Sequence, residues 1–120
     1  MLSSPNEDRA VRITTRQERD ATVLTVSGDL DIDSVAPLAR ALSAAADDGS
    51  GPVVVDLSGV GFADSTTVNV LLQGHTALGD RLRLAAPSPF MRRLIGMIGL
   101  DSALPVLPSV DSAIDGVPPS

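Results

Sequence analysis

Ser65 is the residue around which a chemistry can be built. It stands in Asp64-Ser65-Thr66-Thr67, shortly after the β-branched run Val53-Val54-Val55 and just before an apolar pattern of helical spacing. A hydroxyl where a strand feeds a helix sits beside unpaired backbone N–H groups and the positive end of the helix dipole. That environment tolerates a phosphate. Spacing alone equally describes a serine that only caps the helix.

The other reactive residue types do not assemble a catalyst. The single histidine, His75, falls in the middle of an apolar helix face, where a core histidine with one hydrogen bond is the better reading. A serine nucleophile needs a base, and no Gly-x-Ser-x-Gly elbow is present. No phosphate-cradling loop with a lysine exists, because the chain has nine arginines and no lysine. Asp29, Asp31 and Asp33 have the two-residue spacing that opens an EF-hand calcium loop. Such a loop needs glycine at its sixth position and glutamate at its twelfth, where Ser34 and Arg40 stand. The chain is therefore read as a non-enzyme with no metal and no cofactor.

Composition narrows the class further. A chain of 120 residues can build one core without staples, and with two Phe, no Tyr and no Trp that core must be Val, Leu, Ile and Ala. The absence of cysteine removes disulfides and thiolate ligands. A net charge of −6 argues against binding nucleic acid through phosphates and fits either solubility or steering toward a basic partner. No apolar run spans a bilayer and no charged-then-apolar leader opens the chain, so a cytoplasmic location without a membrane span is expected, with a monomer as the default state.

Several elements must position Ser65. Residues 1–10 are polar, carry Pro5 and are expected to fray. Val11 to Arg16 alternates as a strand, and Ala21 to Ser27 pairs with it as a hairpin ended by Gly28. Ser34 caps a helix with Pro37 in its first turn, whose apolar face is Val35, Leu38, Ala39, Leu42 and Ala46. Gly49 and Gly51 stop it. The strand from Val53 is expected to end at Gly59 and Gly61. The helix after Ser65 buries Val68, Leu71, Leu72, His75 and Leu78, which leaves Thr66, Asn69, Val70, Gln73 and Ala77 outside as a weakly polar docking face. Arg81 to Ala86 is a strand with arginines out and leucines in. Ser88-Pro89 opens a helix that buries Phe90, Met91, Leu94, Met97 and Ile98 and closes at Gly99. A short edge strand follows at 104–107, then a last helical turn at 110–114, then a loose tail at 116–120. The order predicts an α/β fold, a single domain over 11–115. Its mixed sheet has an opening antiparallel hairpin, then parallel strands, with interspersed helices in a single layer pairing.

Gly28-Asp29-Leu30-Asp31 with Ser34, then Val55-Asp56-Leu57-Ser58, then Phe62-Ala63-Asp64-Ser65-Thr66 resembles the STAS domain of bacterial anti-sigma factor antagonists. Ser88-Pro89, Arg93-Leu94 and Gly99-Leu100 are similar to that family's later signature, in the same order. The resemblance implies that Ser65 is phosphorylated by an anti-sigma factor that is also a serine kinase of the histidine-kinase-like ATPase fold. It further implies that the unphosphorylated chain binds this partner and frees a sigma factor for transcription, and that a metal-dependent serine phosphatase reverses the mark. ATP and magnesium would belong to the kinase. Asp31 and Asp64 match acidic positions that shape the site, Thr66 is a candidate second acceptor, and Thr66, Thr67, Asn69, Val70 and Gln73 are the expected partner contacts. Thr67 departs from the family's usual glycine. Two alternatives stay open: an unphosphorylated STAS module of a transporter or lipid-trafficking complex, and a small-ligand sensor using a pocket near Asp31 and Asp64.

Overall fold

The alternating and β-branched runs pair as their patterns require. The computed structural model describes residues 10–49 and 51–115. The expectations for the tail at 116–120 and, apart from Ala10, for the N-terminus lie outside these residues. Strands β1 (Arg12–Glu18) and β2 (Ala21–Leu30) form the antiparallel hairpin, and β3 (Val53–Ala63), β4 (Leu82–Ala85) and β5 (Val106–Leu107) continue the sheet in parallel. The spatial order is β1-β2-β3-β4-β5, with helices α1 (Ala36–Asp47), α2 (Ser65–Leu78), α3 (Pro89–Ile98) and α4 (Val110–Asp115) between or after the strands. This is the single α/β domain with a mixed sheet that the element order calls for. None of the helices among the described residues is long and apolar enough to cross a membrane.

Two strands run further than their glycines suggest. β2 passes through Gly28, which takes φ 101°, and β3 passes through Gly59 and Gly61 to Ala63. The register between them slips twice. Thr25 pairs with Asp56 but Ser27 with Gly59, and Gly28 pairs with Val60 but Asp29 with Phe62. β3 thus carries an extra residue at each slip, a bulge that glycine accommodates. At Gly59 the reason is contact: a Cβ there would lie 2.7 Å from the Ser27 Cβ. The bulges extend β3 to the point from which α2 departs.

One face of the sheet packs Leu24, Val26, Val53, Val55, Leu57, Leu82 and Leu84 against α1, α2 and α3. The opposite face is not bare, as a single layer pairing would leave it. α4 covers part of it, burying Ala113 and Ile114 on Ala21, Val23, Val54, Ala85 and Leu107. Arg83, expected to point into water, is partly buried there, and its guanidinium donates to the carbonyls of Ala113 (2.6 Å) and Ile114 (3.4 Å). Arginine satisfies the orphan carbonyls at a helix C-terminus well.

The helix faces also rotate relative to expectation. α2 buries Thr67, Val70, Leu71, Gly74 and Leu78 rather than the stripe through Val68, Leu72 and His75. α3 buries Met91 and Ile95, while Met97 is 80% and Ile98 46% exposed. Both helices hold more apolar residues than one contact face can take, so packing rather than pattern selects the face. Ser88 does cap α3, accepting from the Met91 N–H at 3.2 Å, and Gly99 closes it at φ 69°. Ser34 does not cap α1, whose N-cap is Val35 with no side-chain bond.

Candidate functional site

The site is assembled where β2 and β3 end together. Leu30 pairs with Ala63, so the loops beginning at Asp31 and Asp64 leave from adjacent strand ends, at the carboxyl edge of the parallel sheet. The first loop is closed by its own polar groups. Asp31 Oδ1 accepts from the Asp33 N–H at 2.9 Å. Ser34 Oγ accepts from the Asp31 N–H (2.9 Å) and stands 2.9 Å from the Asp29 carbonyl and 3.0 Å from Asp31 Oδ1. Ser34 therefore braces the turn instead of starting the helix. Among the described residues, no group of three or more His, Asp, Glu or Cys is arranged to hold a metal ion.

In the second loop Asp64 is the N-cap of α2. Its carboxylate accepts from the N–H groups of Thr66 (3.0 Å) and Thr67 (3.3 Å). The sequence left these donors open for a phosphate, but Asp64 holds them. Capping by Asp64 releases Ser65, the first residue of the helix, from that duty. Ser65 is exposed, and its hydroxyl has no hydrogen-bond partner among the described residues.

The expected partner contacts divide. Thr66 is half-buried, Asn69 and Gln73 are exposed, and Thr67 and Val70 lie in the core at 0% and 9% exposure. Thr67 turns its hydroxyl inward to the Leu30 carbonyl at 3.3 Å, tying the first turn of α2 to the end of β2. Its methyl-bearing side chain thus offers no obstacle to an approaching backbone, and neither Thr67 nor Val70 presents an open contact surface. Gln73 faces the seam with α1, beside Ala39, Leu42 and Ala77. His75 is half-buried, with Nδ1 unpartnered among the described residues.

What the sequence reading missed is an apolar groove of about 390 Å³ between α2 and α3. Asp64, Ser65 and Asn69 stand along it with Val68, Leu72, Leu94 and Ile98. The large apolar side chains left exposed among the described residues cluster around this end of the molecule. Leu72 and Ile98 line the groove, and Met97 lines an adjoining cleft with Phe90, Arg93 and Leu94. Phe62 packs on Phe90 with ring centroids 5.5 Å apart, and Ile32 follows Asp31. The surplus of apolar residues on α2 and α3 was the available signal. A helix that is apolar on more than one face must bury one of them elsewhere or expose it.

The chain is similar to known proteins over most of its length. The family model described as "Mlab, STAS domain" matches residues 13–108. The anti-sigma-F factor antagonist RsfB of Mycobacterium tuberculosis is 25% identical over 118 residues, covering 97% of this chain and 94% of that protein. The crystal structure of an anti-sigma factor antagonist from Mycobacterium paratuberculosis superposes with a TM-score of 0.83 at 30% identity, over 97% of this chain and 98% of that one. The phosphorylated form of the Bacillus cell fate determinant SpoIIAA shares the fold, with a TM-score of 0.64 at 24% identity over 89% of this chain and 98% of that one. The match of the family model over most of the length, and of the fold over nearly all of it, places this chain in the STAS domain family.

Proposed function

We propose that the chain is an anti-sigma factor antagonist that works by partner switching at Ser65. Unphosphorylated, it binds an anti-sigma factor that is a serine kinase of the histidine-kinase-like ATPase fold, and so releases a sigma factor. Phosphorylation of Ser65 ends that binding, and a metal-dependent serine phosphatase restores it. The observation that carries the reading is the free Ser65 hydroxyl at the head of an apolar groove, relieved of capping by Asp64. The names of the relatives in the two mycobacteria support the antagonist role.

The switch follows from electrostatics. A phosphoserine adds about −1.5 to −2 charges. Placed next to the Asp64 carboxylate, and with the Thr66 and Thr67 N–H donors already engaged by it, this charge has little local compensation beyond the helix N-terminus. In the free protein, water solvates it at the exposed position. In a complex the partner must displace that water, and an unpaired buried charge costs about 2–5 kcal/mol. At about 1.4 kcal/mol per tenfold, affinity falls by roughly thirty-fold to several thousand-fold without unfolding the domain.

The test is capture from native lysate with wild-type, Ser65→Ala and Ser65→Asp baits, each checked for fold by circular dichroism, with partners identified by mass spectrometry. An ATPase-fold protein retained by the alanine form and lost by the aspartate form is the expected result. Equal recovery by all three baits of that protein, or of transport subunits in its place, overturns it.

A further inference from the structure

We infer that the outer face of α3, with Phe90, Arg93, Leu94 and Met97, is a second anchor for the same partner. It takes a segment of that partner that presents an apolar side chain beside a carboxylate. The inference rests on the reading of Ser65 as a partner-switching site and extends it beyond the groove. The cleft formed by these four residues has a volume of about 260 Å³, enough for one large side chain. Leu94 belongs to its wall and to that of the α2–α3 groove, so the two depressions adjoin. Met97, at 80% exposure, is the most exposed large apolar side chain among the described residues. An unbranched thioether adapts its shape to an incoming side chain, and sulfur also packs well against aromatic rings.

Charge selects the partner's chemistry. Arg93 is exposed and makes no ion pair or hydrogen bond among the described residues, on a chain whose net charge is −6. A guanidinium fork binds a carboxylate through two parallel hydrogen bonds. Asp64 lines the groove beside Ser65, and the loop that carries Asp31 and Asp33 leaves the neighbouring strand end. An acidic side chain is therefore disfavoured beside Asp64 and favoured beside Arg93, which biases how the partner lies on the surface. Opposed charges of this kind fix register and raise the association rate.

The experiment uses the ATPase-fold protein retained by the Ser65→Ala bait, purified and titrated calorimetrically with the full chain at low and high salt. Met97→Ser and Arg93→Glu should each weaken binding roughly tenfold or more, and Arg93→Lys by less. Arg93→Glu should also flatten the salt dependence. Both positions are on the surface, and unchanged circular dichroism and melting temperature exclude a folding defect. If Met97→Ser and Arg93→Glu bind within twofold of wild type while Ser65→Asp loses binding, the second anchor is refuted and the switch stands. If Ser65→Asp also binds as wild type, the switch itself fails and the anchor with it. If sedimentation shows a wild-type dimer that Met97→Ser dissolves, the occupant is a second copy of this chain and the inference is overturned.

Discussion

At the start of α2 the carboxylate of Asp64 and the hydroxyl of Ser65 carry separate duties, and substitution should separate them. Asp64→Ala leaves the Thr66 and Thr67 N–H groups without their acceptor, which costs about 1 kcal/mol. Thermal melting should fall by roughly 3–6 °C in consequence. Ser65→Ala removes nothing that the fold uses, and its melting temperature should stay within about 1 °C of wild type. Thr67 shows how much one inward side chain can contribute. Thr67→Gly, the residue that the family pattern leads one to expect, removes a buried methyl group, the bond to the Leu30 carbonyl and some helix propensity. Chemical denaturation should show a loss of about 2–3 kcal/mol. A loss below 0.5 kcal/mol would mean that Thr67 does not tie α2 to β2.

Among the elements, glycine and apolar surplus account for the differences between pattern and fold. A glycine inside a β-branched run marks either a strand end or a bulge, and local sequence carries the same signal for both. Gly59 is a bulge because Ser27 crosses it closely. Gly59→Ala should destabilise by about 1–3 kcal/mol as the strands are forced apart. Gly96, in the last turn of α3, has open space where a Cβ would go. Gly96→Ala should instead stabilise by about 0.5–1 kcal/mol, read as a higher denaturation midpoint. The opposite signs test whether the two glycines differ in contact rather than in residue type. The faces of α2 and α3 were illegible for a related reason. Each helix was recognisable from its period and its caps. Its buried stripe was not, because Val68, Leu72, Met97 and Ile98 carry the same local signal as Val70, Leu71, Met91 and Ile95.

For the whole molecule the question is how the first hairpin and the last helix are held on one sheet. α4 has six residues, too few to be stable alone, and depends on Ala113, Ile114 and the arginines around it. Arg83 is partly buried and binds the helix's terminal carbonyls. Arg19, in the β1–β2 turn, reaches Asp111 and Asp115 in exposed ion pairs. Arg83→Ala should cost about 1–3 kcal/mol and make the α4 amides the first to exchange with deuterium. Arg19→Ala should cost at most about 1 kcal/mol, less at high salt. If the two variants are equally mild, burial does not distinguish these arginines and α4 is held by its apolar contacts alone.

The order and type of the elements, the antiparallel opening and parallel continuation of the sheet, and the placing of Ser65 at a strand-to-helix junction were all determined by the sequence. These depend on short-range properties: side-chain period, turn chemistry, and the geometry that links one strand to the next through a helix. Tertiary structure alone decided that Asp64 rather than Ser65 caps α2, that Thr67 and Val70 are core, and that Val68, Leu72 and Ile98 line an open groove. Burial depends on what lies opposite in space, and residues distant in the chain supply it. An apolar side chain that finds a partner and one left for another protein to cover read the same in sequence.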